Sequence, residues 1–260
     1  MSKITKTIEE YFFRALMFLA TITIIGALAT IIIGILQKGL PALTLDMITR
    51  LPQGGYYFGK DGGIRNAIIG SLYLSISSTL LALVISLPLA LFMNVHLAQY
   101  KKRVICIRFI LDLLWGIPSI VYGAFGFTIM IFFGLRSSLL AGIITVTIFI
   151  IPIIVRSMDE VIKTVPKGLH EAALSLGSSR SETAYFVIVR QCIPGIITAI
   201  LLAFGRGIGD AASVLFTAGY TDRVPTSLSQ PAATLPLSIF FQLSSPIAVQ
   251  MTYKEIVSSN

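Results

Sequence analysis

From Asn66 to Val95 the chain runs for thirty residues without a charged side chain. Few folds accept such a run. A helix on the surface of a globular protein needs a polar face, whereas the hydrocarbon core of a bilayer asks for about 20 apolar residues in helical form. Three further uncharged runs meet or approach that length: Ala15–Leu36, Leu113–Leu135 and Ser137–Val155. A fifth, Ile193–Tyr220, is apolar but carries charges in its interior. The expected fold class is therefore all-α, a polytopic membrane helical bundle with five predicted spans. Pro88 in the second run is compatible with this, because neighbouring helices absorb a kink. In the third run Gly116-Ile117-Pro118-Ser119 marks a break, and the small residues Gly123, Ala124 and Gly126 let helices approach closely.

Composition agrees. Charged residues make up 12% of the chain, hydrophobic residues 55%, and the mean hydropathy is +0.86, which leaves too few charges to coat a water-facing surface. The net charge of +8 raises the question of nucleic acid. No basic stripe with interleaved aromatics is present, and the positive residues cluster between the apolar runs, so nucleic-acid binding is excluded.

Those clusters set the orientation. Lys3, Lys6 and Arg14 precede the first run. Lys101, Lys102, Arg103 and Arg108 follow the second, and Arg156, Lys163, Lys167, Arg180 and Arg190 lie between the fourth and the fifth. These twelve fall on one side, against seven spread over the other (Lys38, Arg50, Lys60, Arg65, Arg136, Arg223 and Lys254). The richer side is read as the cytoplasm, which places the N-terminus there. The first run is too long for a signal-peptide core and lacks a cleavage site, so it is read as a retained anchor.

Residues 1–65 are thus an N-terminal anchor helix and an extracytoplasmic loop. Residues 66–260 are a transmembrane domain with a cytoplasmic loop at 156–192. Gly54-Gly55, Gly59 and Gly62-Gly63 make residues 37–65 a loop. Residues 224–253 are uncharged but cut by Pro225, Pro231, Pro236 and Pro246, and read as a loop or re-entrant segment. Cys106 and Cys192 imply free buried thiols rather than a disulfide framework. His96 and His170 stand alone, so no metal site is expected, and nothing calls for a cofactor.

The 164–191 stretch reads as two short helices around a glycine. Pro166 suits a first helical turn. Leu169, Ala172, Ala173 and Leu176 recur at helical spacing and form a small apolar face. Gly177 is suited to a positive φ that stops the helix, and Ser179-x-x-Glu182 is a capping box for the next one. On periodicity alone two readings stand open: insertion into a partner's groove, or capping of the membrane bundle.

Glu171-Ala172-Ala173, with Gly177 four residues after the second alanine, resembles the EAA loop of ABC-importer permeases. Gly62-Gly63-Ile64, the Ile117–Gly123 stretch IPSIVYG and the 193–218 stretch IPGIITAILLAFGRGIGDAASVLFTA look like the A-type (PstA-like) permease of phosphate-specific importers. The resemblance spans about residues 60–245. It implies the type I importer permease (MetI-like) fold and docking to ABC ATPase subunits through Glu171, Ala172, Ala173 and Gly177. It also implies a second, C-type permease subunit, an extracytoplasmic phosphate-binding protein, and residence in the inner membrane. The chain departs from the general pattern in carrying Arg190 where a proline is usual, and it ends at Asn260 without the final sixth helix. It holds no G-x-x-x-x-G-K-[ST] motif, so ATP hydrolysis belongs to a separate subunit and the chain is not itself an enzyme.

Arg206-Gly207-Ile208-Gly209-Asp210 is the second candidate site. A charge at a helix centre costs about 2.5–3.5 kcal/mol on insertion scales and usually faces a cavity or a partner. At i and i+4 the two side chains would share one helix face, close enough to pair. One reading is an intrahelical ion pair. The other puts Arg206 and Asp210 on the substrate path, where Arg206 meets an anion and Asp210 accepts the proton of hydrogen phosphate. The leading expectation is a permease subunit that forms half of a phosphate importer's path. The alternatives are another oxyanion, a secondary transporter using Arg206 and Asp210 as a proton relay, and an inactive truncated subunit.

Overall fold

The computed structural model describes residues 3–53 and 61–244. The chain divides into two units, residues 1–47 and residues 48–260. Within the first, α1 (Lys3–Gly39) is one continuous helix of 37 residues. It is apolar all round over the former anchor run, and its few polar groups are self-satisfied. Thr21, Thr23 and Thr30 each donate to the carbonyl four residues back, at 2.8–2.9 Å. That removes the hydroxyls from any need for water in an apolar surround.

A short helix, α2 (Leu45–Thr49), precedes a two-stranded antiparallel ladder in which β1 (Pro52–Gln53) pairs with β2 (Asp61–Gly62). The sequence reading of 37–65 as loop missed both. The ladder depends on Gly62, whose φ is +110° and whose missing Cβ leaves room for the backbone of Leu51–Gln53. Of the glycines that prompted the loop reading, Gly54, Gly55 and Gly59 lie outside the described residues.

The core of the second unit is built by α3 (Arg65–Leu91), α6 (Leu139–Lys163) and α9 (Val189–Ile208). Its centre is aliphatic, with Leu74, Ala82, Val146, Ile150, Ile154, Met158 and Ala203 all buried. Small residues set the helix spacing. A Cβ on Gly195 would strike Val161, and one on Gly126 would strike Thr145, so α9 and α5 (Ser119–Phe132) lie close against α6. Of the three small residues expected at such contacts in the third run, Gly123 and Gly126 are packed and Ala124 is exposed.

Among the described residues, α1, α3 with its continuation, α6, and the helix from Arg180 to Ile208 are long and apolar enough to cross a membrane. The third expected span, Leu113–Leu135, is not straight. α4 (Lys101–Gly116) and α5 pass the same test only as a pair, and they bend by 94° at Ile117-Pro118. Proline bars the residue before it from helical geometry and itself lacks a donor, so the break falls where the sequence placed it.

Two of the helices carry a π-turn. Phe92–His96 follows α3, four residues beyond Pro88, and Thr183–Ile188 joins α8 (Arg180–Glu182) to α9. The second helix of the 164–191 loop is therefore not separate. It runs without interruption into the last span, through Arg190 and Pro194.

The last span also ends earlier than expected. α9 stops at Ile208, and residues 210–234 form turns and irregular chain rather than helix to Tyr220. Much of this segment is buried, including Ser213, Val214, Thr217, Ala218, Ala232 and Ala233. It is sewn to both neighbours. Ser138, Leu139 and Leu140 donate their backbone N–H groups to the carbonyls of Thr217, Gln230 and Leu228 at 2.8–2.9 Å. Asn66 Nδ2 donates to the Thr221 carbonyl at 2.7 Å, Leu235 N–H to Ser71 Oγ at 2.8 Å, and Gly70 abuts the Ala233 carbonyl. The bonds of Leu139 and Leu140 satisfy donors left open at the start of α6, where Ser138 Oγ also caps Ala141 N–H. Irregular backbone survives beside apolar helices because it is enclosed by protein in this way. Beyond it, α10 (Leu235–Leu243) is a short helix capped by Thr234, where the prolines had argued for a loop or re-entrant segment. Pro236 sits in its first turn, where a missing N–H is harmless. The remainder of the predicted tail segment, 245–253, lies outside the described residues. Of the two thiols expected to be buried, Cys192 is and Cys106 is exposed.

Candidate translocation and docking sites

The first site is the loop after α6. α6 ends at Lys163, and after three residues α7 (Lys167–Ser175) begins, with Pro166 just ahead of it at the N-cap rather than inside the first turn. α7 closes with both bonds of a Schellman turn. Gly177 N–H donates to the Leu174 carbonyl at 3.0 Å and Ser178 N–H to the Ala173 carbonyl at 3.2 Å, with Gly177 at φ +88°. The expected capping box is present two residues later. Ser179 Oγ accepts from Glu182 N–H at 3.2 Å and Glu182 Oε2 accepts from Ser179 N–H at 2.7 Å. Of the apolar face Leu169, Ala172, Ala173 and Leu176, only Ala173 is buried. Leu176 is 88% exposed and Leu169 and Leu174 are also open. α7 thus turns Ala173 and the half-buried His170 inward and keeps its leucines and Glu171 outward.

The second site is the end of α9. The expected pairing of Arg206 with Asp210 on one helix face does not occur, because the helix ends between them. Asp210 turns instead to α5. Its Oδ1 accepts from Ser119 Oγ at 2.7 Å and its Oδ2 from the backbone N–H of Ser213 at 2.9 Å. Ser119 is the first residue of α5, so the carboxylate sits at the positive end of that helix. A Cβ on Gly123 would lie within 2.9 Å of the Ala212 and Ser213 carbonyl oxygens, so α5 and this segment are in direct contact. Arg206 is exposed, and its guanidinium lies 5.0 Å from the centroid of the Phe149 ring, near the middle of α6. Phe149 in turn packs against Tyr122 of α5, with ring centroids 5.5 Å apart. Gly205 and Gly209 flank Arg206 and are open as well. The result is a cation held over an aromatic face, with open glycines beside it, halfway along the bundle. The proton-relay geometry, which needs Arg206 and Asp210 to face one another, is absent.

Sequence reasoning missed a third feature. Asp159 is fully buried, with 0% of its surface exposed. Arg108 of α4 forks onto it, Nε to Oδ2 and Nη2 to Oδ1, both at 2.9 Å. Asn94, in the π-turn after α3, donates to Oδ1 at 2.9 Å. Arg156 and Lys163 of α6 reach Oδ2 at 2.8 and 2.9 Å. Arg156 also holds Asp112 of α4 at 2.6 Å and Glu160 at 3.0 Å. Asp112, to which the sequence reading gave no role, is therefore an ion-pair partner. Removing one member of a buried pair costs about 3–5 kcal/mol, because it strands the other charge. The cluster joins the π-turn after α3, the middle of α4 and the end of α6, from which α7 follows.

A profile of the binding-protein-dependent transport system inner membrane component family matches residues 86–249, which include all three sites. The chain belongs to that family. Among the inner membrane components it is similar to is the phosphate transport system permease protein PstA of Xylella fastidiosa, 36% identical over 216 residues, 82% of this chain and 73% of the relative. The PstA of Yersinia pestis is 34% identical over 221 residues, covering 84% of this chain and 73% of its own length. The probable ABC transporter permease protein YqgI of Bacillus subtilis is 32% identical over 234 residues, with coverages of 82% and 77%. As an inner membrane component the chain is a multi-pass, non-catalytic permease subunit of an ABC importer, and such a component works with an ATPase and a binding protein.

Proposed function

We propose that this permease subunit forms half of the translocation path of an ATP-driven importer for inorganic phosphate. The other half is a second, C-type permease subunit, and an extracytoplasmic phosphate-binding protein delivers the solute. In this reading the N-terminus and the α7 loop face the cytoplasm. Glu171, Ala172, Ala173 and Gly177 form the docking element for the ATPase, since α7 keeps an apolar face uncovered and is stopped by a Schellman turn. The relatives named for phosphate transport support the substrate.

One observation carries the proposal: Arg206 is exposed beside glycines halfway along the bundle, and among the described residues it pairs with no carboxylate, its guanidinium lying over the Phe149 ring. A guanidinium so placed presents several donors to a tetrahedral oxyanion, a geometry that lysine lacks. Asp210 belongs to the same path. It holds the helix break open, and each of its oxygens retains a lone-pair direction beyond its protein donor. The test is uptake of radiolabelled phosphate by the assembled transporter in vesicles, with sulfate as competitor. Arg206→Lys should lower uptake at least tenfold at unchanged membrane abundance, and excess sulfate should leave wild-type uptake intact. Normal uptake by the lysine variant would remove Arg206 from the path. Inhibition by sulfate would widen the substrate to oxyanions at large.

A further inference from the structure

The Asp159 cluster has a feature that simple stability does not require. Two ion pairs join α4 to α6 with opposite polarity: Arg108 on α4 binds Asp159 on α6, and Asp112 on α4 binds Arg156 on α6. The members are four and three residues apart on helices that run in opposite directions, so the pairs stack one turn above the other. Sliding α4 by one turn would set Arg108 against Arg156 and leave Asp159 without its fork. The arrangement therefore permits one register and opposes its neighbours. Asn94 adds the end of α3 to the same lock. Its amide donates to Asp159 and to the Ala90 carbonyl at 3.0 Å, and its Oδ1 accepts from Arg108 at 3.3 Å.

The lock sits between the other two sites. On one side only Thr164, Val165 and Pro166 separate α6 from α7, and the first two are tied back by bonds to the carbonyls of Val161 and Ile162 at 3.1 and 3.2 Å. On the other side α4 runs from Arg108 to Gly116 and into the Ile117-Pro118 break, where Ser119 holds Asp210. From α7 to the end of α9 there is thus a continuous set of stiff elements joined by named bonds.

We propose that Asp159, with Arg108 and Asp112, is a positioning centre for coupling. It makes the end of α3, the middle of α4 and the end of α6 move as one body when α7 is displaced, and the rest of α4 delivers that motion to the Ser119–Asp210 contact. The inference rests on α7 being the docking element. Without the lock, displacement of α7 bends the end of α6 and leaves α4 behind, so ATP is hydrolysed without opening the path.

The experiment uses the complete transporter in vesicles, measuring phosphate imported per ATP hydrolysed. Arg108→Lys keeps the charge and loses the fork. Asp112→Asn removes the outer pair, whose carboxylate is half exposed, and leaves the buried one intact. Both variants should bind the ATPase in the wild-type ratio and retain at least half of the binding-protein-stimulated hydrolysis, while phosphate imported per ATP falls about fivefold or more. Asp112→Glu should restore the ratio. If uptake and hydrolysis fall in proportion, or if the ratio is unchanged in Asp112→Asn, the cluster is only a structural brace and the proposal is overturned. Failure of the docking reading looks different: a Gly177→Pro variant would then bind the ATPase and show stimulated hydrolysis like the wild type.

Discussion

At the scale of single residues, the two charges at the end of α9 do different work. Arg206 is offered outward over Phe149, whereas Asp210 is consumed by Ser119 and by the backbone of Ser213. An amide in place of the carboxylate can accept only one of those two donors through its oxygen, and its NH2 would face the other. Asp210→Asn should therefore loosen the break, and Ser119→Ala, which removes one donor and leaves the carboxylate capped by Ser213, should do so less. The expected order of phosphate uptake is wild type, then Ser119→Ala, then Asp210→Asn, each normalised to membrane abundance. Equal uptake by Asp210→Asn and wild type would detach the break from transport.

At the scale of elements, α7 offers a paired test of its two ends. Gly177 stands at φ +88°, where any side chain is strained, while Gly168 in the first turn has open space around its Cα. Alanine at 168 should stabilise α7 by up to about 1 kcal/mol. Alanine at 177 should disfavour the Schellman turn by about 1–2 kcal/mol. Binding of the purified ATPase to vesicles should then tighten or hold for Gly168→Ala and weaken for Gly177→Ala. The reverse order would separate α7 from the contact. This loop was legible because its signals are local: the glycine, the capping box and the small-residue spacing all act within a few residues. The end of α9 was not, since Gly-rich apolar sequence from Ile193 to Tyr220 has the composition of a span, and the partner that ends it, Ser119, is 91 residues away. The Asp159 lock was hidden for the same reason. Asn94, Arg108, Asp112 and Asp159 come from two helices and a π-turn, and in the sequence Arg108 counted only as loop charge.

For the whole molecule, the helical class and the break at Pro118 follow from composition and proline chemistry, while the early end of the last span and the burial of the 210–234 segment follow from tertiary hydrogen bonds that no local pattern reveals. The orientation remains a prediction from the lysine and arginine count, now joined to a geometric constraint. Because Asn94, Arg108 and Asp159 touch, the ends of α3 and α6 and the middle of α4 lie together, and α7 follows directly from the end of α6. A single cysteine at the exposed Ser175, in a background with Cys106 and Cys192 replaced by alanine, should react with a membrane-impermeant maleimide only from the cytoplasmic face. Labelling from outside in intact cells would invert the whole arrangement.

The stitching of residues 217–235 onto α3 and α6 gives this stretch an unusual kinetic character. Amide hydrogens in irregular chain normally exchange with solvent quickly, since local opening costs little. Here the N–H groups of Ser138, Leu139, Leu140 and Leu235 are each bound to a carbonyl or hydroxyl across the seam. They should exchange as slowly as the centre of α6, and their exchange should quicken together, because opening any one of them requires the seam to part. Deuterium uptake resolved over residues 138–140 and 228–235 would show whether the seam opens as a unit, and comparing it with and without nucleotide on the ATPase would show whether that opening belongs to the transport cycle.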